Sequence, residues 1–532
     1  MRMMPWRAHI GLPAARTAGF AAAVLLIALL VSGGPALVVR DATPAAAVQS
    51  TTFTFGQENS WVRVQNIGAS PATVTVRYFN EAGAQIGQDA CPSPGCPALG
   101  PGQGWTFFQG ANPQLPFGYK GSAVVESDQP IVALQAKDVR RNGAFMIDGD
   151  TTTIASASSK LYLPLVANRD GPQNDWNGRF AIQNLGDDAA CVGLTYLSNA
   201  TDREIAWDPY KPGTSGTKQS GCPNGGRPIP GRGTLLRDPD TFGVPTGFTG
   251  SVRIDTYKTA AGIAPEKQRL TATADTWNSL YSPFASYRGI DQGEMSTTVL
   301  LPLVDREVGP FNGFSTRFQI VNKDPAKVAL VVLRFEGFDL DHGGAFVAKQ
   351  ATLGVGAARM CFQDRDDFAN CLAPGDALPR NFVGTARITS TQPIGVIASR
   401  STRFADTFTN YRGFRPQDGA NRVLLPVLNK NYGPSQGHAG WNSWFRVLVA
   451  DGGQANVRIR YVGLDLPGGE QSYSVHATRE FTVFQWQEAS LPDGFAGTAI
   501  LESDRPIVAL TNLTTDVFTG DTDLLYNGVP LP

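Results

Sequence analysis

Histidine is nearly absent from this chain. There are four among 532 residues, and only His342, His438 and His476 lie beyond the first 47. They fall at unrelated places, so a histidine-based zinc centre or general base has little to build on. An excess of positive charge is missing too: Lys and Arg number 45 against 46 for Asp and Glu. Nothing there would hold a phosphate backbone, and nucleic acid is excluded as an expected partner. Long helical heptads are lacking, and charged residues make up only 17% of the chain. No apolar run of membrane length follows the N-terminal segment, so membrane contact is expected only through that segment, if it stays uncleaved.

What is abundant is turn chemistry, with 58 Gly and 37 Pro among strand-forming Val, Thr, Phe and Tyr. That composition belongs to an all-β protein, and the length calls for several domains. The first residues read as an export signal. Arg2, Arg7 and Arg16 precede an apolar run over 18–31, Gly33-Gly34-Pro35 breaks it, and Ala45-Ala46-Ala47 offers a cleavage site before Val48. The run is short for a spanning helix, which needs about 20 residues. Extended through Val39 it would just span, which makes an uncleaved anchor the alternative.

The body is a tandem array. Leu163-Pro164-Leu165-Val166 with Gly171-Pro172 returns as Leu301-Pro302-Leu303-Val304 with Gly309-Pro310, and as Leu425-Pro426-Val427-Leu428 with Gly433-Pro434. Each leads to an aromatic-led strand (Trp61, Phe180, Phe318 and Trp444 in turn) and then to an alternating strand: Val74 to Tyr78, Val192 to Tyr196, Val331 to Phe335 and Val457 to Tyr461. Alternation puts the aliphatic and aromatic residues on a packed face and leaves the other face to solvent. A block typified by Phe108-Gln109 and Phe484-Gln485 precedes two strands joined at Pro130, Pro393 or Pro506. The second repeat replaces that turn with a polar insertion around 258–267. Tyr287-Arg288-Gly289, Tyr411-Arg412-Gly413 and a shortened Tyr526-Asn527-Gly528 close the later repeats.

These marks divide the chain into a signal over 1–47 and modules over 48–162, 163–300, 301–424 and 425–532. About seven short strands in each is the count of an immunoglobulin-like antiparallel β-sandwich. Proline confines the Leu-Pro stretch to an edge or a bulge. Whether it begins one module or ends the previous one is open: Thr52-Phe53-Thr54-Phe55 favours the start, and the terminal Val529-Pro530-Leu531-Pro532 the end. Short apolar junctions predict a semi-rigid rod.

Six cysteines fall as Cys91 and Cys96, Cys191 and Cys222, Cys361 and Cys371, one pair in each of the first three modules. Local disulfides are expected over a metal site, which wants four ligands in one place. The Cys191–Cys222 bond should pin a surface loop and not join two sheets.

The aromatic-led strand, the Val-x-Val-Arg-Tyr strand, the Leu-Pro-x-Gly-Phe-x-Gly block and the Gln-Pro-Ile-Val turn resemble tandem Ig-like modules of secreted bacterial surface proteins. The resemblance implies an extracellular or cell-surface role and brings no catalytic residues.

Gly433-Pro434-Ser435-Gln436-Gly437 matches the G-x-S-x-G elbow, but it occupies the Gly-Pro loop of its sister modules. Asp339-Leu340-Asp341-His342-Gly343-Gly344 faintly resembles a calcium loop with Gln350 where a bidentate Glu belongs, and a solvated turn is the plainer reading. Asp364, Asp366 and Asp367 read as a solubilising loop. No catalytic residue, metal or cofactor is expected. Trp61, Trp176, Trp441 and Trp444 cluster where modules begin, and Trp105 and Trp486 flank the Phe-Gln strand. Such rings serve as core or inter-module packing or as stacking platforms for a sugar, and Trp105 and Trp486 are the candidate ligand residues. The leading expectation is a non-enzymatic structural or adhesive protein of the cell surface, its partner a surface polysaccharide or another surface protein. The alternative is a carbohydrate-binding array on cell wall or exopolysaccharide, and a secreted hydrolase comes third.

Overall fold

Alternating apolar residues become strands along almost the whole chain of the computed structural model. It describes residues 57–531 apart from 142, 153–156, 172–174, 209–220, 239–243, 281–282, 310–312, 374, 403–406, 436, 464–465 and 467–468. The expected signal over 1–47 and the Thr52–Phe55 stretch lie outside the described residues. No α-helix occurs among the described residues, only short 3-10 turns, and no helix there is long and apolar enough to cross a membrane.

One pairing scheme occurs in each repeat. The aromatic-led strand (Gln57–Asn66, Trp176–Asn184, Phe314–Asn322, Trp441–Val449) lies between two antiparallel neighbours. One neighbour is short: Gly104–Phe108, Thr234–Arg237, Ala358–Phe362 or Glu480–Phe484. The other comes late in the repeat: Ile131–Arg141, Leu270–Asn278, or the second half of Phe382–Thr402 or Phe495–Thr515. The alternating strand (Val74–Asn80, Ala190–Ser198, Ala329–Asp339, Ala455–Val462) forms a second layer with its hairpin partner and with the strand before the late one. In the third and fourth repeats Pro393 and Pro506 do not end a strand. A single 21-residue strand runs through each and passes from one layer to the other.

The aromatic that closes each alternating strand (Tyr78, Tyr196, Phe335, Tyr461) is fully buried, each burial favouring folding by about 1.5–3 kcal/mol. Buried and exposed residues alternate along Ala329–Asp339 as the pattern predicts. Ala190–Ser198 departs from it and is buried on both faces. Its outward residues are small: the Tyr257 ring lies over Gly193, 2.5 Å from where a Cβ would stand, and Arg253 reaches the Thr195 hydroxyl at 3.4 Å.

All three cysteine pairs form locally, as Cys91–Cys96, Cys191–Cys222 and Cys361–Cys371, and no described cysteine is free. Such a set belongs to an oxidising compartment. Cys191–Cys222 stays within one layer, but both residues are fully buried, so it is not a surface clip. The long hairpin of the second repeat packs there, and the Gln268 side chain accepts from the Cys191 N–H at 2.8 Å.

The Leu-Pro stretches lie at bulges. Ladder register shifts between Leu163 and Val166, Leu301 and Val304, and Leu425 and Leu428, around the three prolines. The residue after each proline therefore needs another partner for its backbone, and the tyrosine of the closing motif supplies it. The Tyr287 hydroxyl accepts from Leu165 N–H at 2.9 Å and donates to its carbonyl at 2.8 Å; Tyr526 does the same for Val427, and Tyr411 donates to the Leu303 carbonyl. Two motifs that close and open each repeat thus interlock. The first repeat, which lacks the Leu-Pro motif, has Asp150 at the tyrosine's register position. The stretch pairs with Phe248–Tyr257, Phe382–Thr402 and Phe495–Thr515 that follow it, so it begins its repeat. Val529–Pro530 pairs beside Val423 and Leu424 as Ile290–Asp291 does beside Tyr162 and Leu161.

The described residues form one compact unit in which the repeats pack in sequence. The Asp202 carboxylate, on the second repeat, accepts the Gly356, Ala357 and Ala358 N–H groups of the third at 2.6–2.9 Å. Arg446 of the fourth donates to the Pro302 carbonyl of the third at 2.6 Å. The fourth returns to the first: Gly520–Asp521 runs parallel to Phe145 and Met146, and Thr151 donates to the Asn527 carbonyl. This contact corrects the expectation of a rod, because the last repeat buries its apolar face on the first.

The strands Ala144–Thr152, Phe284–Arg288, Phe408–Arg412 and Leu524–Asn527, one from each repeat, meet on a common axis. Phe284–Arg288 and Phe408–Arg412 are edges, with alternate N–H groups that no neighbouring strand takes. Three carboxylates take them. Asp521 Oδ2 accepts from Phe284 and Phe408 (3.0 and 2.8 Å), and Asp148 Oδ2 from Ser286 and Asn410 (2.9 and 3.3 Å). Asp150 Oδ2 accepts from Arg288 N–H at 3.2 Å and from the Arg412 guanidinium at 2.8 Å.

Candidate functional site

Ladder register makes Trp61, Arg179, Arg317 and Trp444 equivalent, each on the first-layer strand that faces the preceding repeat. Three of the four contacts carry matched partners among the described residues. Between the first and second repeats Arg179 is bonded to Asp275 (2.9 Å) and to Glu58 of the first (2.6 Å), and Lys137 reaches Asp275 at 2.8 Å. Burial alone would raise the Asp275 carboxyl, but Lys137 and Arg179 outweigh it and hold it at about 2. Between the second and third, Arg317 lies over the rings of Trp176 (4.8 Å) and Phe408 (4.6 Å), and burial lowers its guanidinium to about 10. Between the third and fourth, Arg400 lies 5.7 Å from the Trp444 ring centre and is bonded to Asp305 at 2.6 Å.

At the contact of the fourth with the first, Trp61 lines an open cleft of about 80 Å³. The first repeat contributes Trp61, Trp105, Phe108 and Phe145 to its walls, the fourth Tyr432, Trp441 and Phe518. Phe145 is edge-on to Trp441 at 6.4 Å and tilted against Phe518 at 4.6 Å, and the Arg140 guanidinium covers that last pair. The polar lining is sparse: Asp138, Arg63, Thr106 and Asn429. Arg63 donates to the Thr106 hydroxyl at 3.3 Å.

Asp138 and Trp441 are both 4% exposed, and each keeps a polar atom without a hydrogen-bond partner: Asp138 Oδ1 and Trp441 Nε1. The other Asp138 oxygen accepts from Asn59 at 3.4 Å. Burial pushes this carboxyl up, against the pull of Asn59 and Arg140. A buried polar atom left unpaired costs about 1–3 kcal/mol, which a ligand pairing with it would recover. Aromatic walls with a lone acceptor and a lone donor suit a molecule with an apolar face and a hydroxylated rim. One carboxylate lines the cleft, whereas glycoside hydrolysis uses two.

Of the two tryptophans expected as sugar platforms, only Trp105 lies here. Trp486 is 39% exposed on the fourth repeat, tilted against Phe484 at 4.9 Å. They occupy different positions of the block, Trp105 three residues before Phe108 and Trp486 two after Phe484. Trp61, Trp176, Trp441 and Trp444 pack at contacts between repeats, and Trp61 and Trp441 also line the cleft. Sequence reasoning missed Asp138, whose register counterparts Trp277, Ser401 and Thr514 share none of its chemistry.

The remaining motifs are turns. Ser435 and His438 exchange backbone hydrogen bonds in a tight turn, with no helix after it to make an elbow. Asp339 caps the turn after its strand, accepting from the Asp341 and His342 N–H groups and bonding the His342 ring at 2.8 Å. Asp366 pairs with Arg306 at 2.6 Å.

No protein-family model matches the chain, and no curated protein does. Among solved structures it is similar to a crystal structure of Thermotoga maritima 1070, at 14% identity and a TM-score of 0.18, over 21% of this chain and 97% of that one.

Proposed function

We propose that this is a non-enzymatic extracellular protein of four tandem Ig-like β-sandwich modules that holds a sugar of a surface polysaccharide between its first and fourth modules. One observation carries the reading. At the contact of the fourth module with the first there is an open space, walled by aromatic rings, with Asp138 Oδ1 and Trp441 Nε1 unpaired in the wall. A pyranose stacks its C–H face on such rings, and its hydroxyls donate to a carboxylate and accept from an indole N–H. The disulfides support an extracellular setting, and the recurrent pairing scheme supports the module count. A structural or adhesive role at the cell surface follows from holding a polysaccharide without cutting it.

Affinity electrophoresis and calorimetry against purified cell-wall and exopolysaccharide fractions test the reading. Trp105→Ala and Asp138→Asn should each weaken retention at least about tenfold, with unchanged circular dichroism and melting. Wild-type protein that passes unretained through every polysaccharide, or variants retained like wild type, would end it.

A further inference from the structure

The Tyr-Arg-Gly motif leaves something the sugar reading does not use. Its tyrosines seal the bulges, but its arginines point elsewhere. Arg288, Arg412, Asn527 and Thr151 are equivalent by register, one from each repeat, and all four line a second cavity at the end of the common axis. Its volume is about 320 Å³.

One side of this cavity is charged and balanced. Arg288 is bidentate to Glu294 (2.7 and 3.1 Å), Arg412 is bonded to Asp150 at 2.8 Å, and Arg415 to Asp418 at 2.9 Å. Burial would raise the Glu294 carboxyl, but Arg288 and Arg412 hold it at about 2, so it is ionised at neutral pH. Three cations in the wall are thus paired with three anions, Glu294 and Asp418 in the wall and Asp150 behind Arg412. Arg415 and Asp418 keep part of their side chains in solvent and mark the open side. Two atoms in the wall remain without a partner, a donor at Arg288 Nε and an acceptor at Asn527 Oδ1, and both residues are more than nine-tenths buried. The other side is apolar, formed by Ile290, Val299, Ile394, Val396, Phe414 and Val529.

This balance decides the ligand class. A bare anion or cation would bring one unmatched charge into a wall whose charges already cancel. A zwitterion exchanges one internal pair for two new ones, and an attached apolar group fills the opposite side. We infer that the axial cavity binds a small zwitterion with an aliphatic group, of the class of the branched-chain α-amino acids.

Thermal melting and calorimetry of the full-length protein test this with leucine as probe, beside N-acetyl-leucine (anion only), leucinamide (cation only) and inorganic phosphate. Leucine should raise the melting temperature, and each single-charge analogue should bind at least about tenfold more weakly. Arg415→Gln changes a partly exposed residue outside the core and should weaken leucine at least about tenfold while the unliganded melting temperature holds. Trp105→Ala should leave leucine binding unchanged, which separates this cavity from the sugar cleft. No response to leucine, or equal binding of leucine and N-acetyl-leucine, overturns the inference.

Discussion

Asp275 and Asp521 are both buried acids, yet their surroundings drive them in opposite directions. Among the described residues no cation opposes burial at Asp521: burial holds its carboxyl well above the ordinary 3.8, with the Phe284 and Phe408 N–H groups pulling the other way. Asp148 behaves alike. The stability these two contribute is fully present below their ordinary value and is lost as pH rises through their raised one. Asp275, held at about 2, does the reverse: its contribution is present above 3.8 and lost as pH falls toward 2. Denaturant melts from pH 5 to pH 2 should therefore show a loss that Asp275→Asn reduces, the remainder belonging to Glu294, and that variant should cost about 3 kcal/mol at pH 7 by removing the shared partner of Lys137 and Arg179. Asp521→Asn keeps an oxygen for both N–H groups and should stay within about 1 kcal/mol of wild type, whereas Asp521→Ala should cost about 2–4 kcal/mol. Equal losses from Asn and Ala would show that the carboxylate clamp is not what holds the two edges.

At the scale of elements, most strands are legible because their side chains alternate. Val331 to Phe335 reads as half-buried from its letters, and it is. Pro393 and Pro506 look like breaks in the sequence but lie within continuous strands, because a strand that changes layers leaves its ladder for a residue or two, and proline is tolerated there. Ala190–Ser198 was misread because Tyr257 and Arg253, far along the chain, cover it. The Leu-Pro stretch and the Tyr-Arg-Gly motif are both visible as repeats, but not their bond to each other, which joins residues 122 apart in the second repeat. Tyr287→Phe removes the partner of both Leu165 backbone groups and should cost about 1–3 kcal/mol, read from urea midpoints at unchanged slope. A loss within error would mean that the bulge pairs its backbone otherwise.

For the molecule as a whole, contact between the fourth repeat and the first makes each repeat's stability depend on all. Calorimetry should show one main unfolding transition, not four. Removing 425–532 should expose Trp61, Leu134, Phe145 and Ile147 together, since these pack against Trp441, Leu513 and Leu524. The shortened chain should aggregate on size-exclusion chromatography. A monomeric three-repeat protein with the parent's melting temperature would show instead that the repeats fold independently.

The sequence by itself determined the local structure: the strands, the turns, the proline bulges and the cysteine pairs within each repeat. These depend on side-chain alternation, on proline's missing N–H and on short loops, all readable within a few residues. Only the tertiary structure decided how the repeats meet. It alone set which carboxylates clamp which edges, which contact stays open, and which arginines converge on the axis. Asp138 and Trp441 lie some three hundred residues apart and share no pattern, and Asp150 meets Arg288 and Arg412 only because strands of three repeats converge. Equivalent positions in a repeat predict equivalent backbone, but the side chains there differ, and the chemistry of each contact is set by the pair that meets.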